Sequence, residues 1–348
     1  MKFRAIEAVL PSCEISNEEV LRRIGEDSES FLKPSEMKST LRLLRFAFKA
    51  MGTTVRYRRA EGEQPFELCA EAGRRALDRA GLDAAEVDLL IYVGVGRGFI
   101  EPATAYVFQD LLGLRNATCF DILDACASWM RALHVARSFI SAGTYRNVLI
   151  LNAEFNANLE SYELRSVDEF NSRFPAFTIG EAATATVLAA SEEEDEAVEE
   201  FRSFGDQRAK CIIPLENYRE YLASDSCEAE DLKPMEFISY GREIMEFGLE
   251  KLVEQMRADT DLRAFDPEII FFHAASDGMS RDGLRQSGFA EERGFYTHHR
   301  FANTVSASIP LAMWAASNEG RLENGARVFV AAASAGISTV TSRFRYWT

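Results

Sequence analysis

Two apolar strand signals recur in this sequence at a fixed separation. The run at 88–95 (DLLIYVGV) is followed by one at 148–153 (VLILNA), and the pair returns as 269–273 (IIFFH) and 328–333 (VFVAAA). The interval from Leu89 to Ile269 is the same as that from Val148 to Val328 and from Leu82 to Leu262. Short apolar runs bounded by turn residues fit strands of a parallel sheet covered on both faces. Inside each pair a helical segment closes at a glycine, Gly143 and then Gly320, at a slightly shorter interval. Carried back along the helix, that shorter spacing sets Cys126 opposite Asn303. The pattern predicts an α/β chain of two βαβ-type halves with right-handed crossovers and helices on both faces of the sheet.

The halves are expected at 1–190 and 236–348, with 191–235 as a linker or cap insertion that opens on the acidic run SEEEDEAVEE. That run reads as a solvated surface. Two excursions break the first half: a basic, helical-looking insertion at 16–50 and a polar, aromatic-studded cap loop at 154–178. Excursions of this length are commonly lids or binding loops.

The charge balance, 39 Lys+Arg against 55 Asp+Glu, gives −16 and lacks the basic footprint of a nucleic-acid binder. With 47% apolar residues and 25 Phe, disorder is excluded. No apolar run reaches the roughly 18 residues of a membrane span. Glu7 interrupts the N-terminal apolar stretch too early for a signal peptide. The six cysteines form no CxxC pair, so reduced thiols in the cytoplasm are expected.

Cys126 follows the apolar strand 118–123 and precedes the helix 129–142. A thiol at a helix N-terminus meets the positive end of the macrodipole, which favours thiolate, and the free N–H groups there can hold an oxyanion. His273 ends a strand, where open α/β sheets place their ligands. Asn303 lies at another strand-to-helix junction. Read singly, these fit a small core residue, a packed histidine and an N-cap. The register of the halves brings all three to one end of the sheet, which points to a site.

With these segments in hand, the chain resembles the thiolase superfamily, close to the β-ketoacyl synthase III group. DACAS resembles that family's nucleophile segment, FTIGEAATATVLAAS (177–191) its FGDGA-type strand and turn, HAASDG its catalytic-histidine segment and ANTVSASIP its catalytic-asparagine segment. SAGI (334–337) stands where the family has a glycine-rich turn. The resemblance covers most of 60–190 and 236–348 and implies a layered α-β-α-β-α thiolase fold in a homodimer. It implies that Cys126 takes an acyl group from coenzyme A or an acyl carrier protein, with no permanently bound cofactor and no metal. His273 and Asn303 would activate the second substrate for Claisen condensation. The N–H of Cys126 and one from Ser334, Ala335 or Gly336 would form the oxyanion hole.

Several positions depart from the family. HAAS replaces the usual His-Gln-Ala-Asn, Ala302 replaces a glycine, and Glu246 stands where carrier-docking members have a lysine. These departures imply specialised metabolism and tilt the donor towards coenzyme A over an acidic carrier protein. GRGFIEPATA resembles a segment of head-to-head condensing thiolases, in which a glutamate, here Glu101, serves the partner subunit's site as base. Arg56, Arg58 and Arg59 are placed to meet coenzyme A phosphates, and Arg281 and Arg285 to line the entrance. Phe155, Phe170, Phe174, Phe177, Phe201 and Phe204 are candidates for an acyl tunnel or for core. His298 and His299 are read as an extended pair pointing opposite ways, without a metal. Two further functions fit the chain. One is an acyltransferase with an oxygen or nitrogen acceptor, the other a non-catalytic partner subunit of a ketosynthase heteromer.

Overall fold

A computed structural model describes residues 1–193, 196–222 and 232–348; Cys227 lies outside them. The first half runs β1 (Lys2–Val9), β2 (Cys13–Ser16), α1 (Asn17–Asp27), α2 (Pro34–Met51), β3 (Val55–Arg58), α3 (Pro65–Ala80), β4 (Leu89–Val93), α4 (Ala105–Leu111), β5 (Thr118–Ile122), α5 (Ser128–Ser141), β6 (Asn147–Glu154), α6 (Phe170–Arg173) and β7 (Ala182–Ala189). The second runs β8 (Val198–Ser203), β9 (Cys211–Ile212), β10 (Ile238–Ser239), α7 (Gly241–Ala258), α8 (Leu262–Phe265), β11 (Ile269–Phe272), α9 (Asp277–Ser287), α10 (His298–Phe301), α11 (Ser308–Asn318), β12 (Ala326–Ser334) and β13 (Ser338–Tyr346).

The register shared by the two halves is structural. Leu89 pairs with Val148 in parallel β4 and β6, and Ile269 pairs with Val328 in parallel β11 and β12. The first sheet has the order β1-β7-β6-β4-β5 and the second β8-β13-β12-β11. Their outer strands β1 and β8 each run antiparallel to the neighbour. The counterpart of β5 shrinks to a single parallel bridge, Ile270 to Gly294.

Side-chain alternation builds the layers. Leu89, Ile91 and Val93 face a central cluster with α5 and α11, while Leu90 and Tyr92 face α3 and α4 on the outside. In the second sheet Ile269 and Phe271 face the same centre and Ile270 faces α7 and α9. Helix α11, SIPLAMWAASN, is buried almost all round, as a helix between two sheets must be. The result is a helix–sheet–helix–sheet–helix stack in the thiolase arrangement.

Two expectations change, and the helical insertion holds. The segment 191–235 is more than a linker, because β8 forms the edge of the second sheet; its strand pattern is hidden in an acidic run. The insertion at 16–50 is the helix pair α1 and α2, with its own cluster of Val20, Leu21, Ile24, Leu44 and Phe48. Cys126 is not opposite Asn303. Helices α5 and α11 start in the same register as the strands, at Ser128 and Ser308, and α11 is the shorter of the two at its C-terminal end. The position matching Cys126 is therefore Ser306. Among the described residues no helix is long and apolar enough to cross a membrane.

Candidate active site

Cys126 sits in a tight turn, Ala125–Ala127, between β5 and α5. Ala125 has φ +44°, and its counterpart Val305, just before Ser306, has φ +48°. Side chains hold this unfavourable backbone in place. The Ser128 hydroxyl donates to the Ala125 carbonyl and accepts from the Asp124 N–H, both at 2.7 Å. Ser334 crosses from the other half. Its hydroxyl donates to the Asp124 carbonyl at 2.9 Å and accepts from the Ala127 N–H at 3.2 Å. The backbone N–H groups of Ala335 and of Cys126 itself lie near enough to the sulfur to favour its charged form. Gly336, at φ +129°, completes the turn in a conformation open to glycine.

Burial pushes the Cys126 thiol well up, helped by nearby Cys211 and Glu154; the two N–H groups oppose this without overcoming it. A resting thiol therefore replaces the thiolate expected from the helix N-terminus, because desolvation of the anion outweighs the dipole. His273 is buried and pushed down to about 4, first by desolvation and then by His298. Its Nδ1 meets the Ser308 hydroxyl at 2.8 Å. The resting pair is a neutral thiol and a neutral imidazole.

His298 and His299 occupy the helical turn α10, not an extended segment. His298 is buried; its Nδ1 donates to the Ala274 carbonyl at 2.7 Å and its Nε2 accepts from the Thr53 hydroxyl at 2.6 Å. His299 is exposed and pairs with Asp277.

Asn303 is fixed through its backbone. Its N–H donates to the Thr178 carbonyl at 2.9 Å and its carbonyl accepts from the Gly180 N–H at 2.8 Å. Its Oδ1 accepts from the Val305 N–H at 2.9 Å, which leaves the amide NH2 for another partner. Gly180 is required here, since a Cβ would strike the Phe301 carbonyl. Ala302, with φ +57° and ψ −153°, occupies a conformation that suits glycine.

Cys126, His273 and Asn303 line one cavity of about 650 Å³, with Ala335 and Ser334 beside them. Phe155, Phe170 and Phe174 of the cap line it too. Phe177 instead packs with the α1–α2 cluster. Phe201 lies under Arg131, and Phe204 meets Phe247 edge-on.

The basic residues fall out differently from expectation. Arg56 is fully buried, donates to Asn17 and is pushed down to about 10 by desolvation. Arg58 is buried against Glu160. Both side chains point inward from β3, so neither meets a phosphate at the surface. Arg281 stacks on Tyr296 and pairs with Glu291, and Arg285 pairs with Asp282 and Glu291. Both lie outside the cavity wall, which takes its cationic residues from Arg97 and Arg242. Glu101 is exposed on the loop after β4, away from its own chain's cavity.

Glu154 was not foreseen. This buried residue ends β6 and accepts from Asn156 Nδ2 at 2.7 Å, from the Val95 and Ser306 N–H groups at 3.3 Å, and from the Ser306 hydroxyl. Asn152 donates to Ser306 Oγ at 3.0 Å, so the serine proton is directed to Glu154. The available signal was positional: Glu154 and Ser334 stand at the same interval as the paired strands. Ser308 and Cys211 were missed as well.

The sequence pattern of the 3-oxoacyl-[acyl-carrier-protein] synthase III family matches residues 120–206, and that of the family's C-terminal part matches 258–346. The β-ketoacyl-[acyl-carrier-protein] synthase III of Sulfurimonas denitrificans is 24% identical, over 97% of this chain and 95% of its own. That of Clostridium perfringens is 28% identical, over 79% and 83%. Among solved structures, 3-oxoacyl-[acyl-carrier-protein] synthase III from Aquifex aeolicus superposes with a TM-score of 0.79 at 22% identity, covering 99% of both chains. A variant of Xanthomonas campestris OleA with bound lauric acid and lauroyl-CoA superposes at 0.82 and 17% identity, covering 99% and 98%.

Proposed function

The chain belongs to the 3-oxoacyl-[acyl-carrier-protein] synthase III family of thiolase-fold condensing enzymes, and from that premise we propose that it forms an acyl thioester on Cys126 and extends it by Claisen condensation. The observation that carries this reading is the meeting of Cys126, His273 and Asn303 in one largely apolar cavity. An acyl-CoA is taken as donor. The Cys126 sulfur attacks its carbonyl, the oxyanion is held by the N–H groups of Cys126 and Ala335, and the coenzyme thiol leaves with a proton. Since Cys126 rests as a thiol, its proton must move during attack, and neutral His273 is the available acceptor. The second thioester then enters. A Cα–H of this thioester breaks as its proton passes to the base, Glu101 of the partner subunit. The Asn303 amide and the His273 ring, held through Ser308, stabilise the enolate oxygen while the carbon attacks the acyl-enzyme carbonyl. Cys126 departs as a thiolate that takes up a proton to return to the resting thiol.

A homodimer with Glu101 acting in the partner's site is part of the proposal. Ile100, Tyr106 and Leu123 are exposed around the open edge of β5, which supports a covered edge there. Specialised metabolism and a coenzyme A donor complete it.

Acyl transfer to an oxygen or nitrogen is the second reading. It is favoured by Ser276, which stands at the family's asparagine but is committed to capping α9 and to the Met51 carbonyl. Products separate the two, a β-keto compound against an ester or amide. Intact-mass spectrometry after exposure to a series of acyl-CoAs tests the shared first step. An acyl adduct is expected on the wild type and not on Cys126→Ala; no adduct, or an unchanged one in the variant, rejects both.

A further inference from the structure

We propose that the outer face of α2 is a docking surface for an acidic acyl carrier protein, a second source of thioesters for the cavity beside coenzyme A. On a chain of net charge −16, residues 33–51 carry Lys33, Lys38, Arg42, Arg45 and Lys49 against one carboxylate, Glu36. Lys38, Arg42, Arg45 and Lys49 follow at steps of four, three and four, which stacks them in one stripe along the helix. All four are exposed. Leu43 and Phe46 form the adjacent stripe at 48% and 70% exposure. The opposite face buries Thr40, Leu44 and Phe48 against α1, so the basic and apolar stripes are left over from folding. Arg45 has an ion-pair partner in Glu18, whereas among the described residues Lys38, Arg42 and Lys49 have none.

The position of the helix gives this face a purpose. Met51, its last residue, lines the cavity, and the Met51 carbonyl accepts from Ser276, three residues after His273. A partner on α2 therefore sits beside the site. An acidic protein approaching this chain is repelled by its net charge, and a local basic stripe supplies the complementary potential. Two exposed apolar side chains beside such cations suit a small interface core. They offer too little apolar area to insert in a lipid surface, which the rest of the chain would also repel. The surface lies on the insertion, not on α7, where Glu246 replaces the expected lysine. It restores to this site a carrier that α7 disfavours.

This inference rests on Cys126 acylation, so two readouts are needed. The first is binding of the same organism's holo acyl carrier protein, titrated by fluorescence anisotropy at low salt and at about 0.5 M salt. The second is Cys126 acylation from the same acyl chain on the carrier protein and on coenzyme A. The variant Lys38→Glu/Arg42→Glu/Lys49→Glu is expected to weaken carrier binding and carrier-dependent acylation by about tenfold or more, and to leave acylation from acyl-CoA within about twofold. Phe46→Ala should do the same more mildly, and high salt should abolish the difference. Absence of wild-type binding, equal carrier rates in wild type and variant, or binding to anionic vesicles lost in the variant while carrier binding persists would each overturn the proposal. If neither donor labels Cys126, the catalytic reading fails, while the titration still decides the docking surface.

Discussion

The Glu154 carboxylate and the Ser306 hydroxyl are joined by a hydrogen bond that crosses from the first half of the chain to the second. The same bridge is made in reverse by Ser334, the counterpart of Glu154 in the register of the halves, on the turn that carries Cys126. Each half thus steadies the other's strained turn. Glu154 also bears on Cys126, since its charge disfavours the thiolate.

Glu154→Gln removes that charge while keeping the shape. Without a negative neighbour the Cys126 pKa falls, so alkylation by iodoacetamide at neutral pH should quicken by about threefold to tenfold. The pH midpoint of the alkylation rate should move down. Weakened hydrogen bonds to Ser306 should also cost about 1–3 kcal/mol of stability. An unmoved midpoint would count against an electrostatic link.

His273 makes stability depend on pH. Its folded pKa, about 4, lies below its ordinary value of 6.5. As pH falls below 6.5 the unfolded chain takes a proton that the folded chain refuses, and the penalty is complete once pH passes 4. It amounts to about 3 kcal/mol. His273→Asn lacks it. Urea midpoints should therefore show the wild type losing ground to the variant between pH 6.5 and 4, with a constant difference above about pH 7.

Ala302→Gly should stabilise. The alanine is held where glycine is at ease, at a cost of about 1–3 kcal/mol, against about 0.5–1 kcal/mol for glycine's extra freedom when unfolded. A net gain of about 1 kcal/mol in chemical denaturation is expected, and a loss would mean that the local backbone is not strained.

Arg58→Met tests the inward-facing pair. Glu160 is pushed up to about 7, chiefly by burial, with Arg58 pulling it down. Without Arg58 the carboxyl rises further and must be buried neutral. Destabilisation of about 3–5 kcal/mol is expected where Glu160 would otherwise be charged. It should be larger at about pH 8 than at about pH 6, because protonation relieves the isolated charge. A phosphate-binding arginine would give the opposite signature, lost affinity for acyl-CoA with little change in stability.

The strands of both halves were legible because they are short apolar runs in a shared register. The positions of Cys126, His273 and Asn303 followed from where those strands end. Strand β8 was not legible, since VEEFRS is an edge strand whose partial burial leaves room for carboxylates. Arg56 and Arg58 were misplaced because residues two apart share a face, and the sequence does not say which face is inward. The ionisation of Cys126 was misjudged for a different reason. The helix end is visible in the sequence, but the depth of the surrounding cavity is set by segments remote along the chain. Glu154 looked like an ordinary strand-end carboxylate until Ser306 was found opposite it.

The crossed clamps bear on what counts as the smallest working piece of this molecule. Cut between β7 and β8, the polypeptide would yield one fragment holding the cysteine and another holding its histidine and asparagine. Neither would keep the partner that braces its own turn. The candidate site exists only where the two halves meet, so each half is the template on which the other's turn keeps its shape.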